Sequence, residues 1–111
     1  MSSDLVAEVH DLKLRLEWGQ PAFTIIDVRD RHTYNYNRIT GAIPIPLDEL
    51  VQRANAALQK ERQIYIYGDS DTQAGYAVQL LRTAGFINAS VLRGGLTAWK
   101  TVGGATEGVA A

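Results

Sequence analysis

The sequence predicts an α/β domain built on a central parallel sheet of about five strands with helices on both faces. Three observations carry this. Short β-prone apolar runs alternate along the chain with amphipathic helical patterns. Two of the runs, Phe23–Val28 and Ile64–Tyr67, are nearly unbroken, which suits strands buried on both faces. Between Gln63 and Gly85 an apolar run, a polar loop and a helical pattern follow one another directly, the unit from which parallel sheets are assembled. At 111 residues the chain suffices for one domain with one core.

Taken in order, Val6–Val9 reads as a short leading strand, and Asp11–Trp18 as a helix with Leu12 and Leu16 on one face, stopped by Gly19. Phe23–Val28, bounded by Pro21 and the charged Asp27-Val-Arg29, is the next strand. Arg31–Tyr36 suits a helical turn. Gly41–Pro46 suits a short strand whose prolines place it at an edge. Leu47, Leu50, Val51, Ala54 and Leu58 mark an amphipathic helix with Asp48 and Glu49 in its first turn. Ile64–Tyr67 is expected near the centre of the sheet. The residues from Gln73 to Ala84 carry Ala74, Ala77, Val78, Leu81 and Ala84 at helical spacing, with Gly85 placed for a left-handed C-terminal cap. Ala89–Leu92 is the last strand, Gly94-Gly95 a turn, and Leu96–Lys100 a final short helix carrying Trp99 in the core. Residues 1–101 form the domain; the Gly- and Ala-rich 102–111 is expected to be a flexible tail or the start of a linker.

Composition narrows the function classes. A net charge of −1 and the lack of any extended basic cluster exclude an electrostatic nucleic-acid binder. No apolar run approaches the roughly 20 residues of a membrane span. The cytoplasm is the default location, and a monomer the default state. The chain has no cysteine, which removes disulfides and thiolate metal sites. No metal-ligand spacing and no cofactor motif is present, so neither is expected.

The polar loop Gly68-Asp-Ser-Asp-Thr-Gln73 lies between a strand and a helix N-terminus, where free N–H groups and the helix dipole converge. Such a loop suits an anion or a thiolate. Ser70 and Thr72 are its only hydroxyls, and neither His10 nor His32 lies in a segment expected to reach it as a base. Asp69 and Asp71 have two readings: a site for a cationic group or divalent metal, or loop and N-cap residues whose carboxylates accept helix N–H groups. Either way they oppose a bound anion. Asp27 and Arg29 stand at the carboxyl end of a central strand, where parallel sheets place their sites. Arg38 and Arg93 are candidates for the rim of the same mouth. The tyrosines divide between core and rim without forming a stacking platform.

Ile64-Tyr-Ile-Tyr-Gly68, the helix ending Leu80-Leu-Arg-Thr-Ala-Gly85-Phe, and Val91-Leu-Arg-Gly-Gly-Leu-Thr-Ala-Trp99 resemble the second half of a rhodanese-like domain. Ile25-Ile-Asp-Val-Arg29, Tyr34 and the Ile39–Leu50 segment resemble its first half, so the likeness spans nearly the whole chain in order. The resemblance implies that the residue after the central strand is the catalytic cysteine of a sulfurtransferase, a position held here by Gly68. It implies an arginine closing the loop, where Gln73 stands, a bracing role for Asp27 and Arg29, and a histidine where Arg38 stands. A catalytically silent rhodanese-like domain acting on an unidentified protein partner as a binding or regulatory module is therefore expected. The alternative is sulfur transfer with a thiol supplied by a partner. A related phosphatase activity is disfavoured, since both its cysteine and its arginine are missing.

Overall fold

The computed structural model describes residues 5–19 and 22–109. Pro21, the first four residues, and Ala110 and Ala111 of the expected tail lie outside the described residues. The elements run β1 (Val6–Ala7), α1 (Val9–Glu17), β2 (Phe23–Asp27), α2 (Arg31–Tyr36), β3 (Arg38–Ile39) and β4 (Ile43–Pro44). A 3-10 turn (Leu47–Glu49) then leads to α3 (Leu50–Ala57), β5 (Gln63–Tyr67), α4 (Asp71–Thr83), β6 (Ala89–Leu92), α5 (Gly95–Thr101) and β7 (Thr106–Glu107).

The main sheet has five strands in the order β1-β6-β5-β2-β4, and every pairing in it is parallel. The unbroken run of β5 takes the centre, with Tyr65 opposite Ile25 of β2 and Ile64 opposite Ala89 of β6. Pro44 lies in the edge strand β4, where its missing N–H costs no ladder bond.

Strand alternation divides the core in two. Ile26, Ile64 and Ile66 face α3 and α4, packing with Leu50, Ala54, Ala77, Val78 and Leu81. Ile25, Tyr65 and Tyr67 face the other way, toward Val9 and Leu12 of α1 and Trp99 of α5. Each side chain thus serves one layer, and helices cover both faces. The Gly85 cap forms as expected: its φ is +102°, Gly85 N–H donates to Arg82 O, and Phe86 N–H donates to Leu81 O at 2.9 Å. This is the paired bonding of a Schellman motif, and it turns the chain back toward β6.

Three expectations need correction. Val9 opens α1 instead of closing a strand, and Leu16 is 47% exposed while Leu12 is buried. The row facing the sheet runs Val9, Leu12, Arg15. Arg15 lies over the Phe23 ring at 5.0 Å and donates to the Tyr65 hydroxyl at 2.9 Å, so its stem covers the surface expected for Leu16. Second, Gly68–Gln73 is not a six-residue loop, because Asp71–Gln73 already form the first turn of α4.

Third, the segment after Val102 is not loose where it is described. Thr106–Glu107 pair antiparallel with β3, Trp99 Nε1–H donates to Ala105 O at 2.8 Å, and Val109 N–H donates to Asn35 O. Gly104 lies so close to the Trp99 indole that a Cβ there would overlap the ring. Small residues are required by this close approach. No helix among the described residues is long and apolar enough to cross a membrane.

Candidate functional site

The carboxyl ends of β2 and β5 lie side by side, tied by the Val28 N–H to Tyr67 O bond of 3.1 Å. This brings Asp27-Val-Arg29 next to the Gly68–Ser70 loop, as the topology of parallel sheets requires. Asp27 is fully buried and is held by Arg29 through three donors: the backbone N–H at 2.9 Å, Nε at 2.9 Å and Nη2 at 2.6 Å. Arg29 Nη2 also donates to Asn37 O at 2.7 Å, and its guanidinium lies 5.3 Å from the Tyr67 ring centre. Burial works against the Arg29 charge, but hydrogen bonding and attraction to Asp27 outweigh it and raise the guanidinium above its ordinary pKa. The pair forms the floor of the site and ties the end of β2 to the Asn37 backbone.

Tyr67 belongs to this floor, and sequence pattern alone does not separate it from the other tyrosines. Its hydroxyl accepts the Ile39 N–H at 3.1 Å, linking the central strand to β3. Burial, reinforced by the Asp27 carboxylate, pushes its phenol well above the usual tyrosine range. A buried tyrosine needs a hydrogen-bond partner for its hydroxyl, and that need is the signal available in the sequence.

Above this floor the loop is filled by its own side chains. Ser70, not Asp69 or Asp71, is the N-cap of α4: its Oγ accepts the Gln73 N–H at 3.1 Å. Gln73 in turn folds back, and its Oε1 accepts the Asp69 N–H at 2.7 Å. Ser70-x-x-Gln73 has capping-box spacing, with the side chain reaching one residue further back than usual. That spacing is legible in the sequence, but weighing Gln73 only against an expected arginine misses it.

A Cβ built on Gly68 would overlap Gln73 Oε1 and stand 3.1 Å from a Val28 methyl. The glutamine carboxamide thus occupies the space next to the Gly68 backbone and uses a loop N–H that an anion would need. Asp71 points the other way, its two oxygens accepting the Gly94 N–H at 3.0 and 3.1 Å. This bond ties the start of α4 to the turn before α5. Asp69 and Thr72 are exposed. A cleft of about 400 Å³ remains between this loop, the Gly94–Thr97 turn and Arg29.

The other two arginine candidates do not join it. Arg38 pairs with Glu107 of β7 at 3.3 Å and lies over the Tyr34 ring at 4.6 Å. Arg93 pairs with Glu8 at 2.8 Å and borders a neighbouring cleft with Val91 and Gly75, which shares only Asp71 with the first. Arg29 is therefore the only basic side chain lining the cleft among the described residues, and its charge is met by Asp27.

Chemically the site has a strand–loop–helix frame with hydroxyls and carboxylates but no thiol, since the chain has no cysteine. The hydroxyl of Ser70 is spent on the cap, and no histidine lines the cleft among the described residues.

Comparison with known proteins agrees with this frame. The chain is 35% identical over 75 residues to the uncharacterized protein YqhL of Bacillus subtilis, a match that takes in 68% of this chain and spans 59% of YqhL. It is 34% identical over 79 residues to the thiosulfate sulfurtransferase PspE of Escherichia coli, covering 68% of this chain and 76% of PspE. The crystal structure of the Alr3790 protein from Anabaena superposes with a TM-score of 0.90 at 57% identity, covering 93% of this chain and 80% of that one. Residues 8–102 match the rhodanese-like domain as a family, and with the sheet order and the loop in place the chain belongs to that family.

Proposed function

We propose that this chain is a catalytically silent rhodanese-like domain that works as a binding or regulatory module. The observation that carries the reading is the Gln73 carboxamide seated beside Gly68 and bonded to Asp69 N–H. Rhodanese chemistry needs a thiolate within a ring of loop N–H groups. Here the thiol is missing and the loop interior is taken up by the protein's own amide. Sulfur transfer with a thiol borrowed from a partner is the rival reading, and it is opposed by the same observation, since a foreign persulfide would have to displace Gln73. The kinship with PspE supports descent from a sulfurtransferase frame, not retention of its reaction.

The test is a thiosulfate:cyanide assay on the purified chain, repeated with small thiols added. Rates indistinguishable from the protein-free blank are expected in both. Turnover that scales with protein concentration, with or without the thiol, overturns the proposal.

A further inference from the structure

A second cleft, of about 660 Å³, opens beside the vestigial loop between α3 and α4. Its apolar lining comes from Val28, Pro46, Leu47, Val51 and Leu80, and Tyr76 stands at its wall 58% exposed. Arg29 borders both this cleft and the loop cleft, so the two are neighbours at the carboxyl edge of the sheet.

The charge around it has one sign. Asp30 and Asp48 line the apolar cleft, and Asp69 and Asp71 line the polar one. All four are exposed, and none makes an ion pair among the described residues. The single basic group in either lining, Arg29, is neutralised by Asp27. An apolar floor with an uncompensated acidic rim selects a partner that brings hydrophobic side chains and positive charge together. Both clefts are open and lie side by side at Arg29, which suits an extended segment crossing from one to the other more than an enclosed small molecule.

We propose that the two adjoining clefts dock a short polypeptide segment of a partner protein, in which apolar side chains are flanked by lysine or arginine. This rests on the binding-module reading above and names the kind of partner. The apolar side chains enter between Leu47, Val51, Tyr76 and Leu80, and the basic groups lie against Asp48 and Asp69. Those two carboxylates have no hydrogen-bond partner among the described residues, so they are free to meet an incoming cation.

The experiment is a titration of the isotope-labelled chain, followed by amide shifts, with three capped decapeptides. One carries two leucines flanked by lysine and arginine; the second replaces every basic residue by glutamate; the third replaces the leucines by serine. The basic apolar peptide is expected to saturate at sub-millimolar concentration and to move the amides of Leu47, Val51, Tyr76 and Asp69. Its affinity is expected to fall as salt shortens the screening length. The double variant Asp48→Asn, Asp69→Asn is expected to weaken it roughly fivefold at unchanged melting temperature.

Failure of all three peptides to bind overturns the proposal, as does equal binding of the acidic one or shifts confined to another face. Shifts that grow with the concentration of the chain alone would make a second copy the occupant, and also overturn it. Sulfurtransferase turnover sinks the silent-domain reading without touching these shifts, so the two failures are told apart.

Discussion

Replacing Gly68 by cysteine tests the plugged loop directly. Gly68 is not at positive φ, so a side chain there brings no backbone strain. Its Cβ meets two things: the end of the Gln73 side chain, which can swing away, and a Val28 methyl at 3.1 Å, which must give slightly. Ejecting Gln73 strands the Asp69 N–H, but this amide is at the surface, so water replaces the acceptor at a cost of about 0.5 kcal/mol. Crowding against Val28 adds about 1 kcal/mol, and loss of glycine's freedom in the unfolded chain returns about 0.5 kcal/mol. The net loss is about 1 kcal/mol, or a drop of about 4 °C in Tm for a chain of this size.

Gln73→Ala removes the obstacle in advance, so the double variant should be more stable than the sum of the single effects by about 0.5–1 kcal/mol, above the scatter of independent sites. The cysteine then faces Asp69 N–H without competition. Its thiol pKa is expected below the free value of about 8.5, and lower in the double variant than in Gly68→Cys alone. The carboxylates of Asp69 and Asp71 limit the drop. The assays are thermal melts across the four-member cycle and a thiol titration by ultraviolet absorbance. Strict additivity together with a thiol that titrates at or above its free value would refute the reasoning, because the loop would then neither hold Gln73 inside nor point its N–H groups inward.

Other expectations are more quickly checked. Arg29→Ala leaves Asp27 charged and buried without its partner, so it should cost about 3–5 kcal/mol, whereas Arg93→Ala removes an exposed pair with Glu8 and should cost under about 1 kcal/mol. Urea unfolding of the two variants distinguishes them; equal losses would contradict the bracing role. Removing residues 104–111 takes away the acceptor of Trp99 Nε1–H and the partner of β3, so a red-shifted tryptophan emission and a lowered Tm are expected. Tyr67 has a raised folded pKa, so the stability tied to its neutral phenol is present below its unfolded value of 10.0 and is lost as pH rises above it. Tyr67→Phe should cost about 1–2 kcal/mol at neutral pH by orphaning Ile39 N–H, and should flatten the alkaline loss of stability. Titration with thiosulfate or phosphate should leave the loop amides unsaturated at sub-millimolar concentration, since Gln73 and two carboxylates oppose the anion; saturation there would show that the free N–H groups outweigh them.

What the sequence determined by itself was what short-range pattern encodes. The unbroken apolar run of Ile64–Tyr67 required a strand covered on both faces and hence the sheet centre. Pro44 required an edge, Gly85 a left-handed cap, and the spacing of Ala74, Ala77, Val78 and Leu81 a helix with one buried face. The absence of cysteine, with Gly68 after the central strand, left the loop without a thiol nucleophile whatever its geometry. Tertiary structure decided where the polar side chains found their partners. Asp71 bonds across to Gly94, 23 residues away, and so cannot serve the helix it opens. Arg38 is drawn from the mouth to Glu107, 69 residues away, because the C-terminal segment pairs with β3. Leu16 lost its place on the sheet to the stem of Arg15, which is held by a phenol on β5. Period and propensity act over a few residues along the chain, whereas a hydrogen bond or ion pair is set by which distant segments the packed sheet brings within about 3 Å.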